Sequence, residues 1–117
     1  MAVSQLARVE VPAAFWREQR MGEMEAAEAQ VLTAEFEADY HGTVEEDPRF
    51  VVVGTMVEIL DQAARLCATH GLRAYDAVQL STAMATRNAD PECGALAAFD
   101  ASLRATASAE GLELVPA

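Results

Sequence analysis

The chain has 117 residues, 52% of them hydrophobic, and its 19 acidic residues outnumber its eight basic ones to give a formal net charge of −11. This length predicts a single domain spanning residues 1–117, because domains cluster at about 100 to 150 residues. The negative charge disfavours simple coating of nucleic acid. The lack of a long apolar run or a signal-peptide pattern predicts a cytoplasmic protein that does not bind membranes.

Two amphipathic helices are predicted in the first part of the chain. Apolar residues recur at helical spacing over residues 4–20, and Pro12 is expected to kink that helix or divide it into two pieces. A second stripe of apolar residues against a strongly acidic face predicts another helix over residues 23–40. The acidic residues of this segment are interpreted as a solvated helix face followed by a loop.

Strands and helices alternate in the remainder of the chain. The apolar, β-branched run at residues 50–54 predicts a strand buried on both faces of a parallel sheet. A helix then follows to Gly71, with Thr55 and Glu58 spaced as a capping box. The later pattern predicts a helix over residues 74–88, a strand over 95–99, a helix over 100–110 and a strand over 112–115. Such alternation indicates an α/β fold with a parallel sheet.

The apolar stripes and strand runs also predict which side chains form the core. Each predicted helix should turn one stripe inward, and each predicted strand should be covered by helices. We therefore expect ten large side chains to be largely buried, namely Leu6, Val9, Trp16, Phe36, Val52, Ile59, Leu66, Leu80, Phe99 and Leu114.

Three acidic residues occupy positions that could carry chemistry, although each also has a structural explanation. Asp100 ends a predicted strand and begins a helix, so it could be an ordinary N-cap. Asp76 lies in a first helical turn, where a negative charge is favoured by the helix dipole, and Glu10 could simply be solvated. However, Asp100 also follows the carboxyl end of a parallel strand, where such sheets place their ligand sites.

The segments around these three acids resemble the PIN-domain family, and especially the VapC-like toxins of bacterial toxin–antitoxin systems. Residues 4–10, SQLARVE, are similar to the family's helix that bears its second acid. Residues 71–83, GLRAYDAVQLSTA, are similar to the segment around its third acid. Residues 97–100, AAFD, with the helix and strand that follow, are similar to the region of its fourth acid. The order and spacing of these segments match the family over nearly the whole chain.

The resemblance implies a fold, an activity and a set of partners. The fold is a PIN-like three-layer α/β fold, with a small parallel sheet flanked by helices. The activity is Mg²⁺- or Mn²⁺-dependent cleavage of RNA, with Glu10, Asp76 and Asp100 as metal ligands and catalytic residues. Hard cations prefer oxygen ligands, and a bound cation both activates water and offsets phosphate charge. The expected partners are RNA, a cognate antitoxin and a second copy of the chain in a homodimer.

The sequence departs from the family in its first element. PIN domains begin with a strand that carries the first acid, followed by a helix, whereas no aspartate precedes Glu10 here. We therefore expect weak or absent ribonuclease activity, and the alternative function is a catalytically inactive module that binds an antitoxin or itself. The strand edges left unpaired would be covered by a rearranged core, by a second copy, or by residues encoded upstream of Met1. An unrelated acidic helical protein remains a third interpretation.

Overall fold

The computed structural model describes residues 1–117 as a mixed chain of five helices and two small parallel sheets, in agreement with the predicted α/β class. Its elements, in chain order, are β1 (Ala2–Ser4), α1 (Ala7–Arg20), α2 (Ala26–His41), β2 (Val51–Val53), α3 (Val57–His70), α4 (Ala74–Ala89), β3 (Ala95–Ala97), α5 (Ala101–Ala109) and β4 (Glu113–Val115). The chain divides into two compact units, residues 1–54 and 55–117. None of the five helices combines the length and the apolar character needed to span a membrane.

The first unit contains a two-stranded parallel sheet and the helix pair α1–α2. Strand β1 pairs with β2 in a register that sets Val3 opposite Val52. Sequence patterning predicted a helix from residue 4, but residues 2–4 are a strand, and the helix begins at Ala7. The Ser4 hydroxyl accepts a hydrogen bond from the Leu6 N–H at 3.2 Å, where the chain leaves the strand.

Helix α1 runs as one element through Pro12, so the predicted division into two helical pieces does not occur. It packs against α2, whose buried residues are Ala29 and Phe36. The Phe36 ring lies 5.9 Å from the ring of Tyr40 and 6.0 Å from that of Phe50. These three aromatic rings thus form a cluster beside α2 in the first unit.

The second unit is built on the packing of α3 against α4. The buried face of α3 presents Ile59, Ala63 and Leu66, and Leu80 of α4 is completely buried. The hydroxyl of Ser81 donates a 2.7 Å hydrogen bond to the carbonyl oxygen of Ile59, which joins the two helices inside the core. Burial of that polar group is tolerated because the bond satisfies it.

Both ends of α3 can be compared with the sequence prediction. Gly71 ends the helix in the left-handed conformation, with φ +69°, as expected of a glycine cap. The predicted capping box is wrong, because the N-cap is Met56 and no side chain caps it. Beyond Gly71, α4 spans the predicted residues 74–88 and extends by one residue, to Ala89.

A second two-stranded parallel sheet, β3–β4, packs with α4 and α5 in the same unit. Its register sets Ala95 opposite Glu113 and Ala97 opposite Val115. The parallel sheet expected from sequence is therefore present as two separate pairs of strands. Helix α5 connects β3 to β4, as a parallel connection requires.

Ion pairs and hydrogen bonds also join the helix ends in the second unit. The imidazole of His70, at the end of α3, lies 3.0 Å from the carboxylate of Glu110. Arg87 of α4 donates a 2.9 Å hydrogen bond to the backbone oxygen of Glu110. The residue that follows α5 thus contacts side chains of both α3 and α4.

The predicted core is partly confirmed. Phe36, Ile59, Leu66 and Leu80 are buried, and Leu6, Trp16 and Leu114 are half-buried. The prediction is wrong for Val9, Val52 and Phe99, which are 64%, 38% and 88% exposed. Hydrophobic patterning identifies apolar positions correctly, but these three lie on faces that no element of this chain covers. The β2 run is accordingly a strand without being buried on both faces.

We expect the substitution Leu80→Ala to destabilise the second unit by about 2–5 kcal/mol, because it leaves a cavity at a fully buried position. The matched control is Leu60→Ala, the same change at a side chain that is 47% exposed. Urea unfolding followed by circular dichroism at low protein concentration measures both. Equal losses of stability in the two variants would contradict the assigned core.

Candidate functional site

Asp100 lies in the connection between β3 and α5, at the carboxyl end of the strand. Its backbone is extended, and its carboxylate accepts a hydrogen bond of 2.9 Å from the N–H of Leu103. The predicted N-cap role is therefore confirmed. The side chain of Arg104 donates hydrogen bonds to the carbonyl oxygens of Ala98, at 2.8 Å, and Pro116, at 2.7 Å. Two anchors thus fix the backbone around Asp100.

Asp76 lies in the first turn of α4 and is half-buried. Burial raises the pKa of its carboxyl group above the ordinary value of 3.8. The negative charge of Asp100 raises this pKa further, while the positive charge of Arg73 lowers it. The charge of Asp100 thus acts on the carboxyl group of Asp76 within the second unit.

The two carboxylates lie in different environments. Asp100 is exposed and accepts a backbone hydrogen bond, whereas Asp76 is half-buried at a helix start. Burial and a neighbouring negative charge both disfavour the charged form of a carboxyl group. A cation bound nearby makes that charged form more favourable. Such a perturbed acid beside a specific charged partner is typical of functional sites.

Glu10, the third acid singled out from sequence, lies in the first turn of α1 and is half-buried. It belongs to the first unit, whereas Asp76 and Asp100 belong to the second. The structure contains no group of three or more His, Cys, Asp or Glu side chains arranged to hold a metal ion. The shared site of Glu10, Asp76 and Asp100 therefore remains a prediction.

The Asp76–Asp100 pair offers the donor type that Mg²⁺ and Mn²⁺ prefer. Mg²⁺ is commonly held by one or two carboxylates, with water and substrate phosphate oxygens completing its shell. Asp100 uses Oδ2 for the Leu103 hydrogen bond, so the cap occupies only one of its two carboxylate oxygens. The two residues accordingly fit a cation held by few protein ligands, and they do not form a closed protein cage.

Two arginines near the acids were not singled out from sequence. Arg73 precedes α4 by one residue, and its charge acts on Asp76. Arg104 anchors the β3–α5 connection from the first turn of α5. Arg73 stands three residues before Asp76, so the sequence spacing could have indicated that the charge of Arg73 acts on Asp76. Arg104 also donates to the carbonyl oxygen of Pro116, just after β4. Local patterning does not reveal a partner that lies so far along the chain.

Comparison of the chain with models of protein families and with curated proteins finds no match. The likeness to PIN domains thus depends on the short segments around Glu10, Asp76 and Asp100. Two of these segments lie in the second unit, where the charge of Asp100 acts on Asp76. The functional argument therefore starts from Asp76 and Asp100.

We expect the pKa of Asp76 to fall in the variant Asp100→Asn but to stay above 3.8, because burial is the larger cause of its elevation. Asparagine is also a good N-cap, so α5 should remain intact. Titration of the Asp76 carboxyl carbon by NMR measures the change. Asp61→Asn, on the exposed side of α3, is the control. An Asp76 pKa that is the same in Asp100→Asn and in the wild type would disprove the coupling.

We also expect Asp76→Asn to stabilise the protein at neutral pH. A carboxyl whose folded-state pKa is raised contributes its full stability below the unfolded value of 3.8, and this contribution is lost as the pH rises through the folded-state pKa. The charged form therefore costs stability at pH 7, and asparagine removes that cost. Urea unfolding should show the two proteins converging at pH values below 3.8. A variant that is less stable than the wild type at pH 7 contradicts this sign.

Proposed function

We propose that this chain is a PIN-like protein whose function is metal-dependent hydrolysis of RNA phosphodiester bonds, as in the VapC-like toxins that it resembles. Asp76 and Asp100 are the principal ligands of a Mg²⁺ or Mn²⁺ ion in this proposal, and Glu10 is the third acid. The observation that carries it is that Asp100, which follows the carboxyl end of β3, acts electrostatically on the half-buried Asp76.

The position of the pair in the sheet supports the proposal. In open parallel sheets, ligands bind in the crevice outside the carboxyl ends of the strands. Asp100 lies at that end of β3, and β3 pairs in parallel with β4. Asp76, in the first turn of α4, is within reach of the charge of Asp100, which raises the pKa of its carboxyl group. In this proposal, two chain segments that are distant in sequence would supply the oxygen ligands of one cation.

The residues around the pair have separable roles. The Leu103 N–H holds the carboxylate of Asp100 in one orientation, and Arg104 fixes the preceding backbone. Arg73 places a positive charge near Asp76, where a phosphate oxygen of RNA could be bound. A cation held by the carboxylates would supply charge stabilisation and an activated water. The same cation would relieve the repulsion between the two acids.

The second candidate is a module that retains the fold for binding an antitoxin or itself and has no catalytic activity. Two observations favour it. No group of three metal-binding side chains is present, and several large apolar side chains are exposed. Loss of catalysis would leave Asp100 with its capping role, which requires neither a metal nor an acid partner.

The proposal predicts cleavage of single-stranded RNA that requires Mn²⁺ or Mg²⁺ and depends on both aspartates. We expect Asp76→Asn and Asp100→Asn each to slow cleavage on the order of 100-fold, since each removes a charge from the metal site while keeping the side-chain shape. Asp61→Asn should cleave like the wild type, because it removes an exposed acid from the same unit. A fluorophore–quencher RNA, with and without EDTA, measures these rates.

The same experiment separates the two candidate functions. Absence of metal-dependent cleavage by the wild type, or equal rates for the wild type and Asp76→Asn, contradicts the nuclease proposal. Either result favours the binding module. Binding of Mn²⁺, followed by its paramagnetic broadening of NMR signals from residues near Asp100, tests the metal site without reference to cleavage.

A further inference from the structure

The two aromatic residues of the second unit are both exposed. The chain contains four phenylalanines, two tyrosines and one tryptophan. Five of these rings lie in the first unit, and each of them is buried or half-buried, namely Phe15, Trp16, Phe36, Tyr40 and Phe50. Tyr75 and Phe99 lie in the second unit and are 56% and 88% exposed. The buried hydrophobic residues of that unit are all aliphatic, so its core is built without either ring.

Packing within the chain gives these two rings no role. Burial of an aromatic side chain is among the larger favourable contributions to folding, and it is lost where the ring stays in water. The ring–ring contacts of the chain all involve residues of the first unit. The rings of Tyr75 and Phe99 are therefore available to a partner outside the chain.

Each exposed ring directly precedes one acid of the proposed metal site. Tyr75 is followed by Asp76 in the first turn of α4, and Phe99 is followed by Asp100, the N-cap of α5. Consecutive Cα atoms are about 3.8 Å apart, so each ring is anchored one residue from an acid of the site. The second unit thus carries its only aromatic side chains next to these two acids in sequence.

The second unit offers RNA little positive charge. It contains eight acids and four arginines. Arg65, Arg87 and Arg104 donate hydrogen bonds to other residues of the chain, which leaves Arg73 as the exposed arginine nearest to the acids in sequence. A chain of net charge −11 has no long-range attraction for a phosphate backbone. Affinity for RNA has to come from short-range contacts that need no charge.

We propose that Phe99 and Tyr75 stack on unpaired bases of RNA that is bound at the Asp76–Asp100 pair. This inference rests on the proposed function, because it names the form of substrate that the same site takes. Stacking needs no charge on the protein, and every base offers a π face. Bases of a duplex are paired and stacked on one another, so aromatic side chains stack on bases of single strands, loops and bulges. The substrate is therefore RNA with unstacked bases, bound with little dependence on sequence.

Recognition is then divided between the backbone and the bases. Arg73 and a cation held by the two acids would contact phosphate oxygens, which every RNA carries. The rings would contact bases, and this contact distinguishes an open strand from a duplex. Removal of a ring should accordingly weaken RNA binding while both carboxylates stay in place.

Fluorescence anisotropy of a short labelled oligo(A) tests the inference without a measurement of cleavage. In Ca²⁺, Phe99→Leu and Tyr75→Leu keep an apolar side chain but lose the ring, and each should weaken binding about 5- to 100-fold. Phe99→Trp and Tyr75→Phe keep a ring and should bind at least as well as the wild type. Val57→Ala is the control, because it shortens a 68% exposed apolar side chain of the same unit and should leave binding unchanged.

An abasic oligonucleotide separates stacking from any structural effect of the substitutions. It keeps the sugar–phosphate backbone but offers no bases, so the wild type should bind it more weakly than oligo(A). The double variant with Phe99→Leu and Tyr75→Leu should bind both oligonucleotides equally, because it has no ring to stack on a base. Annealing oligo(A) to its complement should weaken binding to the wild type in the same way.

Three results would each overturn the inference: no binding of oligo(A) by the wild type, equal affinities of the wild type and the leucine variants, or equal affinities of the wild type for oligo(A) and the abasic strand. The proposed function fails separately, through equal cleavage rates of the wild type and Asp76→Asn. Ring-dependent binding without cleavage supports the stacking contact and contradicts the nuclease. Cleavage that depends on Asp76 but not on the rings supports the nuclease and contradicts the stacking contact.

Discussion

The parallel pairing of β3 with β4 is the constraint on which the second unit depends. Parallel strands must be joined by a crossover, and α5 provides it, beginning at Ala101 after a connection of three residues from β3. The turn from strand to helix requires an N-cap, and Asp100 occupies that position. The same pairing turns Leu96 and Leu114 to one side and Ala97 and Val115 to the other. The position of Asp100 and the exposure of Ala97 and Val115 thus both follow from this pairing.

The charged form of Asp76 reduces stability in the absence of a cation. Asp76 is partly removed from water beside another acid, and both effects oppose its ionisation. Proteins tolerate such local costs at functional sites, where the unfavourable arrangement is relieved by the ligand. An acidic chain with an acidic site is therefore physically consistent with the proposed function, in which a bound cation would offset the negative charge.

Local patterning predicted much of the second unit, because its elements are bounded by residues with clear preferences. Gly71 ends α3, and Asp100 caps α5, as their positions indicated. The strand β1 was missed because three residues ahead of a helical stripe carry too little pattern. The burial of Val9 and Phe99 was mispredicted because an apolar position does not reveal whether another element covers it. A shared site involving Glu10 lies beyond local pattern altogether, since it depends on the placement of two separate units.

The paired hydrogen bonds of Arg104 have a practical consequence. This side chain joins the carbonyl oxygen of Ala98, two residues before the acid at the strand end, to that of Pro116. Any alteration that displaces Pro116 therefore acts on the backbone that orients Asp100. An affinity tag fused after residue 117 would adjoin the acceptor of the Arg104 hydrogen bond, whereas a tag placed ahead of residue 1 would adjoin the other unit. Preparations that differ only in tag position should consequently be compared before an inactive sample is attributed to the protein itself.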